Sequence, residues 1–287
     1  MKALKLFLFS IVSFLLLTAL VIGLAYGKQL TAVFDVWQNY SKQEFVHFDS
    51  AFNYPIKRSP YIDYSLDIAN EKYYVWIPPQ FSPETAKEFG LIVFTDASDW
   101  IFHLPSDWQS VLLKRKYLFV ASQNAGNQHN FPRRAGLAVI AALKLCEKYS
   151  LDKSRIYAGG FSGGARTASY LGFNQYDVFR GTIQDCGTDF YRKVDSKFRT
   201  SDLDTAGQYY GTAILSNAVN NEAVKARMKF AITTGPGDFR YGNIKDIYTF
   251  GFAKENFKCQ LFDVPTQKHE DCSGETLEKV LDYLEAK

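Results

Sequence analysis

The sequence predicts an α/β fold: a mostly parallel central sheet with helices on both faces, preceded by an N-terminal hydrophobic helix. Three observations predict it. Short continuous apolar runs recur, L-I-V-F at 91–94 and Y-L-F-V-A at 117–121 among them, as strands buried on both faces require. Segments with apolar residues at helical spacing alternate with these runs. Before all of this, residues 6–27 carry no charge.

Taken in order, Y-Y-V-W-I-P-P at 73–79 reads as a strand stopped by prolines. The strands at 91–94 and 117–121 follow. A helix over 133–149 can place Leu137, Ile140, Ala141 and Leu143 on one apolar face. Then come R-I-Y-A (155–158) as a strand, A-R-T-A-S-Y-L (165–171) as a helix and G-T-I-Q (181–184) as a strand. K-F-A-I-T-T (229–234) is a strand, D-I-Y-T-F-G-F-A (246–253) a helix and C-Q-L-F-D-V (259–264) a strand. The last helix sets Leu277, Val280, Leu281 and Leu284 at i, i+3, i+4 and i+7.

Domain organisation follows from composition. Apolar residues make up 47% of the 287 residues and aromatics 16%, enough for one large core. The net charge is +3 without a block of like charge, which argues against nucleic acid as a partner. The uncharged run 6–27 follows Lys2 and Lys5. It exceeds a signal-peptide core of about 7–15 residues and meets the roughly 17 that a membrane span needs. An uncleaved anchor is favoured over a cleaved signal, for which Ala25-Tyr26-Gly27 is a weak site. Either way residue 28 onward is expected on the exported side, with contact to a membrane through the segment if it is retained. The expected division is therefore 1–27 as signal anchor or signal peptide, 28–61 as a polar, aromatic-rich tether or cap, and 62–287 as the domain.

Export bears on the four cysteines, Cys146, Cys186, Cys259 and Cys272, which can pair in an oxidising compartment or stay as buried thiols. A Cys186–Cys272 bond is the pairing that the topology suggests. No Cys/His spacing indicates a metal site, and no cofactor motif is present in the sequence.

The chemistry-bearing stretch is Gly160-Phe161-Ser162-Gly163-Gly164, a G-x-S-x-G between an expected strand and an expected helix. So tight a turn leaves no room for a Cβ two residues either side of the serine. At the carboxyl edge of a parallel sheet, that hydroxyl stands where ligands gather. A serine needs a base, and of His47, His103, His129 and His269 only His269 follows it. His269 lies just past the strand 259–264. The acid should leave an earlier strand at the same edge, where T-G-P-G-D-F delivers Asp238. Asp246 is the nearest rival but falls where a helix should have begun; Asp185 comes a strand too early and Asp263 sits within a strand. Trp100, Phe102 and Trp108 are candidates either to line an acyl or aryl pocket or to fill the core beneath a loop. His103 and His129 fall on loops at the same edge.

The succession Y-Y-V-W-I-P-P, G-F-S-G-G, T-G-P-G-D-F and V-P-T-Q-K-H-E resembles the α/β-hydrolase superfamily over residues 62–286. It is most similar to secreted esterases of the polyhydroxyalkanoate-depolymerase and feruloyl-esterase type. The resemblance implies an α/β-hydrolase fold and a carboxylic-ester hydrolase using Ser162 as nucleophile, His269 as general base and Asp238 as its orienting partner. The substrate it implies is a small-molecule or polymeric ester. Backbone N–H groups of Gly163 and Ala97 are the expected oxyanion donors. One departure stands out: such relatives carry His-Gly after the strand corresponding to L-I-V-F, where this chain has Thr95-Asp96-Ala97. The alternatives are therefore a binding module of this fold with impaired catalysis, or an acyltransferase or peptidase using the same three side chains.

Overall fold

The computed structural model describes residues 42–46 (backbone only), 62–67, 69–101, 104–194 and 221–286. The chain divides into two units, Met1–Lys42 and Gln43–Lys287, and apart from Lys42 the described residues belong to the second. The hydrophobic segment 6–27 lies outside them, as does most of 28–61. No helix among the described residues is long and apolar enough to cross a membrane.

Eight strands form one sheet: β1 Lys42–Val46, β2 Tyr73–Ile77, β3 Gly90–Thr95, β4 Tyr117–Ser122, β5 Ile156–Phe161, β6 Gly181–Asp185, β7 Lys229–Thr234 and β8 Cys259–Asp263. Their order is β1-β2-β4-β3-β5-β6-β7-β8. β2 runs antiparallel to β4, and every pairing from β4 through β8 is parallel. The helices are α1 Ser106–Arg115, α2 Phe131–Tyr149, α3 Gly163–Asn174, α4 Asn221–Arg227, α5 Tyr241–Ile247 and α6 Gly274–Glu285. A π-helical turn, Tyr248–Ala253, continues α5. The helix expected at 246–253 thus begins earlier, at Tyr241, right after the turn that carries Asp238. β1, α1 and α4 have no counterpart in the sequence reading; α1 is polar on average and shows little amphipathic pattern.

Strand and helix packing explains the continuous apolar runs. In β3, Leu91 and Val93 enter one apolar cluster, shared with Leu137 and Ile140 of α2 and Leu171 of α3. Ile92 and Phe94 enter the other, shared with Trp108 of α1 and Leu277, Val280 and Leu281 of α6. A period of two on a sheet covered on both faces therefore leaves no polar position within the strand. Burying each such side chain is worth about 1.5–3 kcal/mol. The helix ends follow local chemistry: Asn130 caps α2 by accepting from the Arg133 N–H, and Ser273 caps α6 by accepting from Thr276 N–H.

All four cysteines are free thiols. The expected Cys186–Cys272 bond is absent because the two side chains serve different surroundings. The Cys186 thiol points to the carbonyls of Lys268 and Glu270, while Cys272 packs in the cluster around Trp108.

Candidate active site

Ser162 sits between the end of β5 and the start of α3, in a strained conformation with φ 54° and ψ −114°. Its backbone N–H donates to the Asp185 carbonyl at 2.8 Å, tying the turn to β6. A Cβ on Gly160 would lie 2.4 Å from the backbone of Gly164, and one on Gly164 would lie 1.8 Å from the Thr95 carbonyl oxygen. The chain packs against itself and against β3 at this point, so both positions must be glycine. No side-chain cap bond to the helix engages the serine hydroxyl, which leaves it available.

The hydroxyl meets His269. Ser162 Oγ and His269 Nε2 are 3.0 Å apart, and His269 Nδ1 and Asp238 Oδ1 are 2.8 Å apart. The three residues leave β5, β7 and β8 at the same edge, as parallel strands dictate. A bridge between Gly237 and Lys268 joins the acid loop to the histidine loop. The imidazole lies between two aromatic rings, Phe239 at 4.2 Å and Phe161 at 5.0 Å between centroids. Asp238 is buried, and its second oxygen accepts from the Thr234 hydroxyl while the Arg240 N–H donates to the first. Burial pushes its carboxyl up, but the His269, Arg240 and Thr234 hydrogen bonds outweigh this and hold it below the ordinary carboxylate value.

The rival acids stand elsewhere. Asp185 is fully buried with one oxygen on the Thr233 hydroxyl, and Asp263 pairs with Tyr241 and Lys245. Asp246 lies within α5. His129 faces Asp99 at 3.3 Å; His47 and His103, like Phe102, lie outside the described residues.

Several supporting residues carry no motif and escaped the sequence reading. The Gln267 amide donates to Thr233 Oγ1, Cys186 Sγ and the Glu270 carbonyl, and the Cys186 thiol donates to the carbonyls on either side of His269. Buried Arg134 donates to the Ala125 and Asp96 carbonyls. A trans peptide sets C=O and N–H in opposite directions, so this grip on the Asp96 carbonyl turns the Ala97 N–H the other way. The Asp96 carboxylate accepts from the Ser98 N–H at 2.6 Å and is thereby engaged within its own loop. A Cβ on Gly163 would meet the Asn127 side chain, and the Asn127 N–H donates to the Ala97 carbonyl.

The ligand atoms of Cys186, Asp238 and His269 lie within 4.8 Å of one another, close enough to hold a metal ion. Burial and the Asp238 charge push the Cys186 thiol well up, which keeps it protonated and a poor ligand. Trp108 is fully buried on α1 and its indole N–H donates to the Cys272 carbonyl at 2.6 Å; Trp100 is half exposed.

No family model matches the sequence, and no curated protein is similar to it in sequence. Solved structures are similar in fold. Esterase Est22 superposes with a TM-score of 0.60 at 14% identity, over 90% of this chain and 89% of that one. A ferulic acid esterase gives 0.55 at 15% identity, over 86% and 98%. FphF, a fluorophosphonate-binding serine hydrolase of Staphylococcus aureus, gives 0.56 at 14% identity, over 86% and 99%. The chain also spans 36% of a longer Bacteroides ovatus protein, provisionally named a dipeptidyl aminopeptidase IV, at 14% identity over 86% of this chain with a TM-score of 0.55. At these identities the likeness is one of fold: the chain has the α/β-hydrolase fold, built as it is in esterases.

Proposed function

We propose that this protein is an exported serine hydrolase that cleaves carboxylic esters through an acyl-enzyme. The observation that carries the reading is the hydrogen-bond chain from Ser162 through His269 to Asp238, with separations of 3.0 and 2.8 Å. Asp238 accepts from Nδ1–H, leaving the Nε2 lone pair toward the serine. His269 Nε2 takes the Ser162 proton as Oγ attacks the ester carbonyl, then gives it to the departing alcohol. Water repeats both transfers on the acyl-serine and releases the acid. Asp238, held ionised by its three donors, balances the imidazolium that forms in each half.

The N–H groups of Gly163 and Ala97 supply the oxyanion donors. Gly163 opens α3, so its N–H has no intrahelical partner and lies at the positive end of the helix dipole. The Asp96 carboxylate, engaged by Ser98, need not face the developing charge, which weakens the case for an impaired relative. Esterases and a serine hydrolase among the structural neighbours support small-molecule esters as substrates. The uncharged segment 6–27 supports export and anchoring.

A fluorophosphonate probe tests the reading: wild type takes up the label at Ser162 and the folded Ser162→Ala variant takes up none. A folded wild-type protein that stays unlabelled and hydrolyses no p-nitrophenyl ester would overturn it.

A further inference from the structure

Asn127 meets both of the residues expected to supply oxyanion donors. Its main-chain N–H donates to the Ala97 carbonyl at 2.9 Å. Its side chain lies on Gly163, where an added Cβ would stand 1.7 Å from Oδ1, 2.6 Å from Cγ and 3.0 Å from Nδ2. Gly163 opens α3, and in a helix the Cα–Cβ direction tilts toward the N-terminus, as the N–H groups do. The carboxamide therefore occupies the mouth of α3, where a side chain on the residue after Ser162 would otherwise sit.

The loop that carries Asn127 is fixed to the loop after β3. The Asp99 carboxylate accepts from the Gly126 N–H and the Gln128 amide, and the Asp99 carbonyl accepts from the Asn124 N–H. Arg134 holds the Ala125 and Asp96 carbonyls on one guanidinium. Asn127 itself is exposed, and its carboxamide has no hydrogen-bond partner among the described residues. A rigid backbone thus presents an uncommitted amide at the place where charge develops during acyl transfer. A half turn about Cβ–Cγ exchanges its oxygen for its NH₂ group without a change in volume. Negative charge gathering at the mouth of α3 favours the NH₂ end, and a side-chain carboxamide is one of the donor types that stabilise a tetrahedral intermediate.

We propose that the Asn127 carboxamide is a third oxyanion donor. In the tetrahedral intermediate its Nδ2–H₂ group turns to the oxygen that the Gly163 and Ala97 N–H groups also hold. The proposal rests on the esterase reading and deepens it. It also answers the departure at Thr95-Asp96-Ala97, because the neighbouring loop adds a neutral donor there.

Steady-state kinetics of the full chain on a p-nitrophenyl ester test it. An interaction made only in the transition state lowers kcat and kcat/KM together and leaves KM unchanged. Asn127→Ala should lower kcat about 10²-fold, the lower end for loss of one donor, with KM within about twofold of wild type. Asn127→Asp keeps the shape but brings a negative charge and no donor, and should lose at least as much. A phenylboronic acid, whose tetrahedral adduct on Ser162 sets an oxygen in the same position, should bind Asn127→Ala at least about tenfold more weakly than wild type. If kcat of both variants stays within about threefold of wild type, the proposal is overturned and the esterase stands. A loss in Asn127→Ala that Asn127→Asp restores overturns it too, because shape and not a donor would then be what the position supplies. A wild type that hydrolyses no ester overturns the donor and the esterase together.

Discussion

Asp238 and Asp271 show how two carboxylates on neighbouring loops take opposite settings. Asp238 has three hydrogen-bond donors and titrates below its ordinary value; Asp271 has burial and four like charges and titrates near 8. Replacing Asp238 by Asn keeps the shape but favours the wrong imidazole tautomer, and kcat should fall by about 10⁴-fold with the protein still folded. Stopped assays on a p-nitrophenyl ester check this. Asp271 predicts a pH dependence of stability. In the fold its carboxyl keeps a proton up to about pH 8, whereas the unfolded chain releases it near 3.8. The native state thus binds the extra proton between these values, and stability falls as pH rises through that window. Asn at 271 cannot ionise, so Asp271→Asn should gain on wild type from pH 4 to pH 8, by at least about 1 kcal/mol. Urea titrations of both proteins at several pH values measure the difference. At this scale the sequence was informative for Ser162, Asp238 and His269, because their order along the chain and their place after strands are local features. Asp271 stands in the same H-E-D-C stretch as His269, yet its state depends on Asp96, Asp107 and Asp185 from other segments, which no local pattern reports.

Among the elements, the turn from β5 into α3 tolerates the least change. Gly164→Ala drives a methyl into the Thr95 carbonyl, which belongs to a central strand and cannot yield. The cost should be at least about 3 kcal/mol, the upper end for an overpacked site. Gly163→Ala meets the Asn127 side chain instead, an exposed group free to rotate, and should cost clearly less. Thermal melts of the two variants test the contrast, and equal losses would contradict the packing described. α6 was legible because it has one broad apolar face, and α2 because its apolar residues run unbroken from Ala135 to Ala142 and are buried there. α1 was not, because its residues are mostly polar and it is held by Trp108 and by contacts with α6. The late placement of α5 has a similar cause. Its first turn follows the Asp238 loop, whose Arg240 and Tyr241 N–H groups bond back to Asp238.

For the whole molecule, the uncharged segment 6–27 is the feature on which the proposed export rests. If that segment stays in place, the full chain should remain in the membrane fraction after alkaline carbonate washing, and protease added from the exported side should reach the domain. Recovery of all the protein in the soluble cytoplasmic fraction would remove the export reading. What the sequence by itself determined was the alternation of buried strands and helices, the tight serine turn, and the chain order that singles out His269 and Asp238 as candidate partners of the serine. These rest on periodicity, on chain order and on the space that a Cβ needs, all short-range properties. The tertiary structure alone decided the antiparallel entry of β2, the different surroundings of Cys186 and Cys272, the Arg134 grip on the Asp96 carbonyl, and the raised titration of the Asp271 carboxyl. Each of these depends on which strands become neighbours and on the field of groups distant in sequence, and the strand order β2-β4-β3-β5 is settled only when the two apolar faces of the sheet are buried together.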